Sequence, residues 1–199
     1  QPLDDFSDKS RASIEVQNGC NHSCTFCSIT QARGNNRSLS LEAVIDQIRK
    51  FLLHGYNEVV FTGVDITDYG SDIFGGPSLG VLVKKVFRDI PDLKRLRLSS
   101  IDVGEIDDQL MELILHEKRL MPHFHLSVQS GNNLILKRMK RRHNREQVIE
   151  FCQNVRLNRQ EAAFGADIIA GFPTETEEMF VNTLNIVGEA GLTYLHVFP

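Results

Sequence analysis

Short apolar runs of strand length alternate with amphipathic stretches of helix length along almost all of this chain. That alternation restricts it to folds built on a parallel sheet. The strand-like runs are 13–18, 57–62, 93–99, 123–129, 164–170 and 193–198, and the helical stretches between them are 40–54, 78–89, 105–117, 144–158 and 176–190. Strands joined through a helix run parallel, because the crossover must carry the chain back before the next strand starts. The helix ends carry their own signals. Ser40 is placed to cap the first helix, with Glu42 in its first turn and Gly55 after its last; Asn144 with Gln147, and Thr174 with Glu177, have capping-box spacing.

An open, doubly wound sheet and a (β/α) barrel share this alternation, and the position of the polar residues separates them. In a barrel the chemistry sits at the carboxyl ends of several successive strands, around one mouth. Here a cysteine-rich loop follows the first strand, Thr62-Gly63-Val64-Asp65 the second, and Ser99-Ser100 ends the third. Gln129-Ser130-Gly131 ends the fourth, Gly171-Phe172-Pro173 follows the fifth, and Val197-Phe198 closes the sixth. No G-x-G-x-x-G follows the first strand, as a dinucleotide fold would require. The expected fold is therefore α/β, a partial (β/α)6 TIM-type barrel on a parallel sheet. At 199 residues the chain can bury one sizeable core. Residues 1–12 read as a linker or frayed segment, and 13–199 as one domain. The run from Gln1 to Pro199 reads as an excerpt of a longer protein.

The cysteine loop is Gly19-Cys20-Asn21-His22-Ser23-Cys24-Thr25-Phe26-Cys27. Cys20, Cys24 and Cys27 can hold three corners of an iron-sulfur cube, and no fourth cysteine lies nearby to close it. One iron is then left open to an outside ligand. Two other readings stay available at this point: a zinc site with His22 as fourth ligand, and a disulfide staple. His22 lies inside the gap between two ligands, where it is poorly placed to complete a tetrahedron. An odd number of thiols leaves one unpaired. Four cysteines without a secretory segment or a long apolar run fit a reducing cytoplasm and no membrane span.

The C-x-x-x-C-x-x-C spacing resembles the radical S-adenosylmethionine (SAM) enzymes. The resemblance implies a 4Fe-4S cluster on Cys20, Cys24 and Cys27, with SAM chelating its open iron and being cleaved reductively there. It also implies SAM contacts at Phe26, at Thr62-Gly63-Val64, at Gln129 and Arg141, at Asp167 and at Val197. Ser100 falls where some relatives carry an acidic residue. Each has a plainer reading as well: a core plug for Phe26, a strand-to-loop turn at Gly63, an inward polar group for Asp167, a surface cation for Arg141.

Val16-Gln17-Asn18-Gly19-Cys20, Ala32-Arg33-Gly34 followed by Arg37-Ser38, Phe61-Thr62-Gly63-Val64-Asp65, His125-Leu126-Ser127-Val128-Gln129-Ser130-Gly131 and Ile168-Ile169-Ala170-Gly171-Phe172-Pro173 together resemble the radical SAM core of the methylthiotransferases. Arg97-Leu98-Ser99-Ser100 and Leu195-His196-Val197-Phe198-Pro199 are most similar to the branch that modifies threonylcarbamoyladenosine beside the tRNA anticodon. Branches acting on isopentenyl-adenosine or on a ribosomal protein aspartate stay open as alternatives. The resemblance implies a tRNA substrate and a cytosolic electron donor. It also implies an amino-terminal domain with a second cluster and a carboxyl-terminal RNA-binding barrel, neither of which is in this sequence.

The net charge of −4 says little about partners, since a local patch can bind what the whole chain repels. The densest basic run, Lys137 to Arg145, offers Lys137, Arg138, Lys140 and Arg142 as RNA contacts, or else forms a solvated face. A metal-stabilised nucleic-acid-binding module, with structural cysteines and this run on phosphate, is the competing function. Cys152 stands alone in a helical stretch and reads as a packed thiol.

Overall fold

A computed structural model describes residues 10–199 of the chain. Residues 1–9 of the expected linker lie outside it, and Ala12, assigned to that linker, already belongs to the first strand.

The six expected strands are β1 (Ala12–Asn18), β3 (Glu58–Gly63), β4 (Arg95–Leu98), β5 (His123–Gln129), β6 (Ala163–Ile169) and β7 (Tyr194–Phe198). The five expected helices are α2 (Leu41–Leu53), α3 (Leu79–Asp89), α4 (Asp108–His116), α6 (Arg145–Asn158) and α7 (Glu177–Glu189). Three short elements had no periodicity long enough to announce them: α1 (Ile29–Arg33), α5 (Asn133–Arg138) and the two-residue β2 (Arg37–Ser38).

The strands pair in the orders β2-β1-β3-β4 and β5-β6-β7. The two runs meet at Ile101, whose N–H donates to His125 O (2.9 Å) and whose carbonyl accepts from Ser127 N (3.0 Å). Apart from β2, every pairing is parallel and neighbours follow chain order. A doubly wound sheet reverses its order at a switch point, which this one does not do. Unreversed crossovers keep the helices on one face and curve the sheet into a partial barrel. The exception to parallel pairing is β2, which folds back antiparallel onto the end of β1 at Gln17 and Asn18.

Alternation along each strand divides the sheet into two faces. Ala12, Ile14 and Val16, Val59 and Phe61, Phe124 and Leu126, and Phe164, Ala166 and Ile168 join one buried cluster with helix residues such as Val44, Ile48, Leu82, Val86 and Val155. Each large apolar side chain buried there contributes about 1.5–3 kcal/mol. The other face, which becomes the barrel interior, carries Glu15, Thr62, Arg97, His125 and Asp167. A closed TIM barrel fills this space with branched apolar side chains. Here it is a polar wall.

Ser40 caps α2 as expected, accepting from Ala43 N, and Asn144 with Gln147 forms the full capping box of α6. The expected cap at Thr174 is displaced. Thr174 has φ 74°, and α7 begins two residues later, where Thr176 accepts from Met179 N. The Gly171-Phe172-Pro173 turn uses Thr174 and Glu175 first: Glu175 accepts from Gly171 N at 2.8 Å. Helix α4 likewise starts late, at Asp108, because Asp107 caps it after a single 3-10 turn over Val103–Glu105.

Candidate active site at the barrel mouth

Gly19 starts the cysteine loop at φ 75°, and a Cβ there would lie 2.0 Å from the Asn35 carbonyl oxygen. Only glycine fits where the loop crosses the segment leading into β2. Cys20 N donates to Gly34 O at 3.0 Å across this crossing. Buried Gln17 pins both sides of it: its Nε2 donates to Gly19 O (2.6 Å) and Asn36 Oδ1 (2.8 Å), and its Oε1 accepts from Asp65 N (2.8 Å). Asn36 N in turn donates to Asn21 Oδ1 at 3.0 Å. The Gly34 and Arg37-Ser38 strings are thus the clamp that holds the cysteine loop.

One pocket brings together Cys20, Cys24, Cys27, Phe26, Val64, Ser100, Gln129 and Arg141, all expected from the sequence. It also holds His22, weighed above as a zinc ligand, Asp65, placed at the mouth, and Arg142, offered as an RNA contact, together with Asp102 and Ser127, which were not expected there. As a set, the three cysteine sulfurs do not lie within 4.8 Å of one another. A single tetrahedral zinc would require sulfurs about 3.8 Å apart. His22 Nε2 faces Glu105 Oε1 (3.0 Å) and Asp65 Oδ2 (3.3 Å), and a ring nitrogen lies within 4.8 Å of Cys20 Sγ, so His22 gathers with one cysteine and Asp65 rather than with all three cysteines. Cys152 is buried in α6, away from the loop.

The pocket also carries an ion network drawn from the loops after β1, β3 and β4 and from the turn between α5 and α6. Asp102 Oδ2 accepts from Arg141 Nη2 (2.8 Å) and Arg142 Nη2 (2.6 Å), and Asp102 Oδ1 from His143 Nδ1 (2.9 Å). His143 Nε2 faces Val128 O at 3.1 Å, so both ring nitrogens meet acceptors. Burial pushes the Asp102 carboxyl up, but the His143 hydrogen bond and the two guanidinium charges outweigh it and hold it at about 2. Glu105 goes the other way, to about 7: burial and repulsion from Asp65 exceed the pull of Arg142. Burial likewise raises the Asp65 carboxyl, against Arg142 and His22. Burial raises the Cys20 thiol to about 11, so its proton is one that a bound metal would displace. Arg141 Nη1 faces Cys24 Sγ at 3.6 Å, which sets a fixed positive charge beside the second cysteine.

Gln129 closes β5 at φ 66°, beyond a register shift after Leu126. A left-handed glutamine costs about 1–3 kcal/mol and persists where its surroundings require it. It turns the end of β5 so that Gln129 and Ser127 both reach the pocket.

Other expected residues lie elsewhere. Thr62 donates its hydroxyl to Ile14 O at 3.1 Å. Gly63 is needed by its neighbours: a Cβ would meet Gln17 O at 2.7 Å and Ile66 Cγ2 at 2.7 Å. The close approach expected there of a ligand is made by Gln17. Asp167 lies on the barrel wall, bonded to His125 and His196. Val197 pairs with Ile168 and shares its outward face, so its side chain points away from the interior. The basic run is divided. Arg142 is drawn into the ion network, Arg138 donates to Thr174 Oγ1 (2.7 Å), and Arg145 pairs with Glu189 (2.6 Å), leaving Lys137 and Lys140 exposed.

A half-barrel whose mouth gathers three thiols, a guanidinium and a strained glutamine is the framework of a cluster-bearing enzyme. The comparisons agree. The model described as the Radical SAM superfamily matches residues 14–187, and the chain belongs to that superfamily. Membership implies a 4Fe-4S cluster and SAM, and the open donor set of three cysteines fits that pair.

The chain is 60% identical, over 98% of its length, to the threonylcarbamoyladenosine tRNA methylthiotransferase MtaB of Rickettsia prowazekii, and covers 46% of that protein. It is 41% identical over 95% of its length to the MtaB of Aquifex aeolicus, covering 45% of it. A tRNA-2-methylthio-N(6)-dimethylallyladenosine synthase from Carboxydothermus hydrogenoformans is 35% identical over 89% of the chain, which covers 40% of that enzyme. The chain therefore spans less than half the length of these relatives.

Among solved structures, the radical SAM methyltransferase TsrM of Kitasatospora setae superposes with a TM-score of 0.75 at 16% identity, over 94% of this chain and 35% of that one. Coproporphyrinogen III oxidase (HemN) of Escherichia coli gives 0.60 at 17%, over 94% of this chain and 43% of that one. At such identities the likeness is one of fold. It is the partial barrel expected from the alternation. Among the described residues, no helix is long and apolar enough to cross a membrane.

Proposed function

We propose that this chain is the radical SAM core of a tRNA methylthiotransferase that adds a methylthio group to threonylcarbamoyladenosine beside the anticodon. The observation that carries the reading is the meeting of Cys20, Cys24 and Cys27 with Gln129 and Arg141 in one pocket. The substrate branch rests on the MtaB relatives, of which one is 60% identical to the chain.

In this reading Cys20, Cys24 and Cys27 hold the cluster, and Phe26 screens it from water. Bound there, the cluster and SAM supply one-electron chemistry able to remove a hydrogen atom from an unactivated C–H bond. The protein contributes position and field. Asp102 fixes Arg141 against Cys24, and Gln129 offers amide donors and acceptors to the hydroxyl groups of a nucleoside. A base splayed out of an RNA loop is the form in which a nucleotide would reach such a site.

The chain's remaining cysteine is buried, so the sulfur of the product comes from outside these residues, from a further domain with a second cluster. Exposed Lys137 and Lys140 contact tRNA phosphates, and a cytosolic donor supplies the electron. Full-length protein, reconstituted anaerobically with iron and sulfide and given dithionite, SAM and tRNA carrying threonylcarbamoyladenosine, tests the reading. Nucleoside mass spectrometry should show the methylthio product. Its absence, with deoxyadenosine still formed, would leave the chain a radical SAM enzyme of another substrate.

A further inference from the structure

Ser127 and Gln129 line the cysteine pocket, and the next residue of β5 facing the same way is His125, about 7 Å further into the barrel at the usual rise of a strand. His125 Nε2 lies 2.9 Å from Asp167 Oδ1, and His196 Nδ1 lies 3.2 Å from the same oxygen. Three successive strands thus direct one side chain each to a single point. The two imidazoles stand 4.7 Å apart between centroids. Gly165 leaves room for this arrangement, since a Cβ there would come within 2.5 Å of His125 Nδ1.

The trio does not line the cysteine pocket; it lies on the interior wall, with His125 two residues before Ser127 on β5. Burial raises the Asp167 carboxyl, and hydrogen bonds from the two histidines outweigh that and hold it below its usual range. Asp167 is thereby spoken for and acts by orienting the rings. With Nδ1 of His196 turned to Asp167, Nε2 remains for a ligand, and the side chain is 66% exposed.

Two base modifications stand in the relatives' names, and they differ in polarity. A dimethylallyl group has no polar atom, whereas a threonylcarbamoyl group carries a carboxylate, a hydroxyl and urea N–H groups. A wall of paired histidines and a carboxylate suits the second. It penalises the first, because burying it against a prenyl chain leaves polar atoms unmatched. We infer that His196, oriented by Asp167 and backed by His125, is a specificity-determining residue that binds the threonyl carboxylate of the substrate base. The inference rests on the function proposed above. Each nitrogen of the ring then faces a carboxylate oxygen, Nδ1 that of Asp167 and Nε2 that of the substrate.

The test uses the full-length, reconstituted protein with SAM and anticodon stem-loops bearing threonylcarbamoyladenosine either as the free acid or as its methyl ester. Wild type should bind the acid about ten- to a hundredfold more tightly than the ester, the range of a charge-assisted hydrogen bond. His196→Ala should lose that preference, binding both loops like the wild type binds the ester. His196→Asn and Asp167→Asn should give intermediate ratios, and serve if the alanine variant does not fold. Equal binding of acid and ester by wild type, or an undiminished preference in these variants, overturns the assignment. So does a stoichiometric divalent metal lost with His196→Ala, which would make the trio a metal site. Failure of wild type to methylthiolate threonylcarbamoyl tRNA would instead sink the proposed function, and the acid-to-ester binding ratio separates the two failures.

Discussion

Asp102 holds the Arg141 guanidinium at 2.8 Å while the other arm of that guanidinium faces Cys24 Sγ at 3.6 Å. A carboxylate at the end of the third parallel strand, β4, thereby fixes the charge beside a cysteine at the end of the first. Neither residue is near the other in sequence.

Replacing Asp102 with asparagine leaves Arg141 without its buried counter-ion and Arg142 with only Glu105 and Asp65. Because the folded Asp102 carboxyl sits at about 2, below its ordinary 3.8, it contributes stability above the ordinary value that is lost as pH falls toward 2. That shift corresponds to about 2 kcal/mol, and the loss of hydrogen bonds adds to it. Urea midpoints measured from pH 7 down to 3 should show the wild type falling toward Asp102→Asn at the acid end. Curves a constant distance apart would show that Asp102 is not the titrating group.

Gln129 pays for its position in backbone strain, so stability and function should part company there. Gln129→Gly relieves the left-handed φ of 66° and should leave the denaturation midpoint unchanged or raised. The same change removes the amide from the pocket. Anaerobic calorimetry on the reconstituted protein should then show weaker SAM binding. Unchanged SAM affinity would move Gln129 from ligand contact to framework.

The sequence showed the layers of the fold plainly, because six apolar runs and five amphipathic helices have lengths and periods that permit little else. Ser40 and Asn144 announced their helices by cap chemistry that depends on neighbours three residues away. Thr174 carried the same signal and failed, since its turn with Gly171 and Arg138 is a tertiary matter. The three cysteines were visible by spacing. Asp102, Glu105 and His143 were not, because each is an ordinary polar residue until the fold brings the loops of the mouth together. A signal did exist for Asp102: like Asp65, it lies just past the end of a strand assigned to the mouth.

Gly63→Ala tests the clamp on the cysteine loop. The new methyl would fall 2.7 Å from the Gln17 carbonyl oxygen, and Gln17 is what ties Gly19 to Asp65. Overpacking of this kind costs about 1–3 kcal/mol. Iron content after reconstitution should drop along with the thermal midpoint. A variant as stable and as iron-replete as wild type would show that the loop does not depend on Gln17.

Lys137, Arg138 and Lys140 are exposed, but the Arg138 guanidinium is bonded to Thr174 and Arg142 is bound within the ion network. Removing each lysine should lower the slope of log affinity for tRNA against log salt by about one phosphate contact. Arg138→Ala, whose guanidinium serves Thr174, should change that slope less. Filter binding across a salt series measures both, and equal slopes for all variants would place the RNA on another face.

The central claim is that Cys20, Cys24 and Cys27 hold the centre at which SAM is cleaved, and deoxyadenosine formation reads it most directly. Full-length protein reconstituted with iron and sulfide should release deoxyadenosine from SAM when dithionite is added. Alanine at any one of the three cysteines should abolish this release, since removing one of three ligands loses the cluster. Zinc in place of iron with no deoxyadenosine from wild type, or undiminished release from Cys24→Ala, would contradict the account.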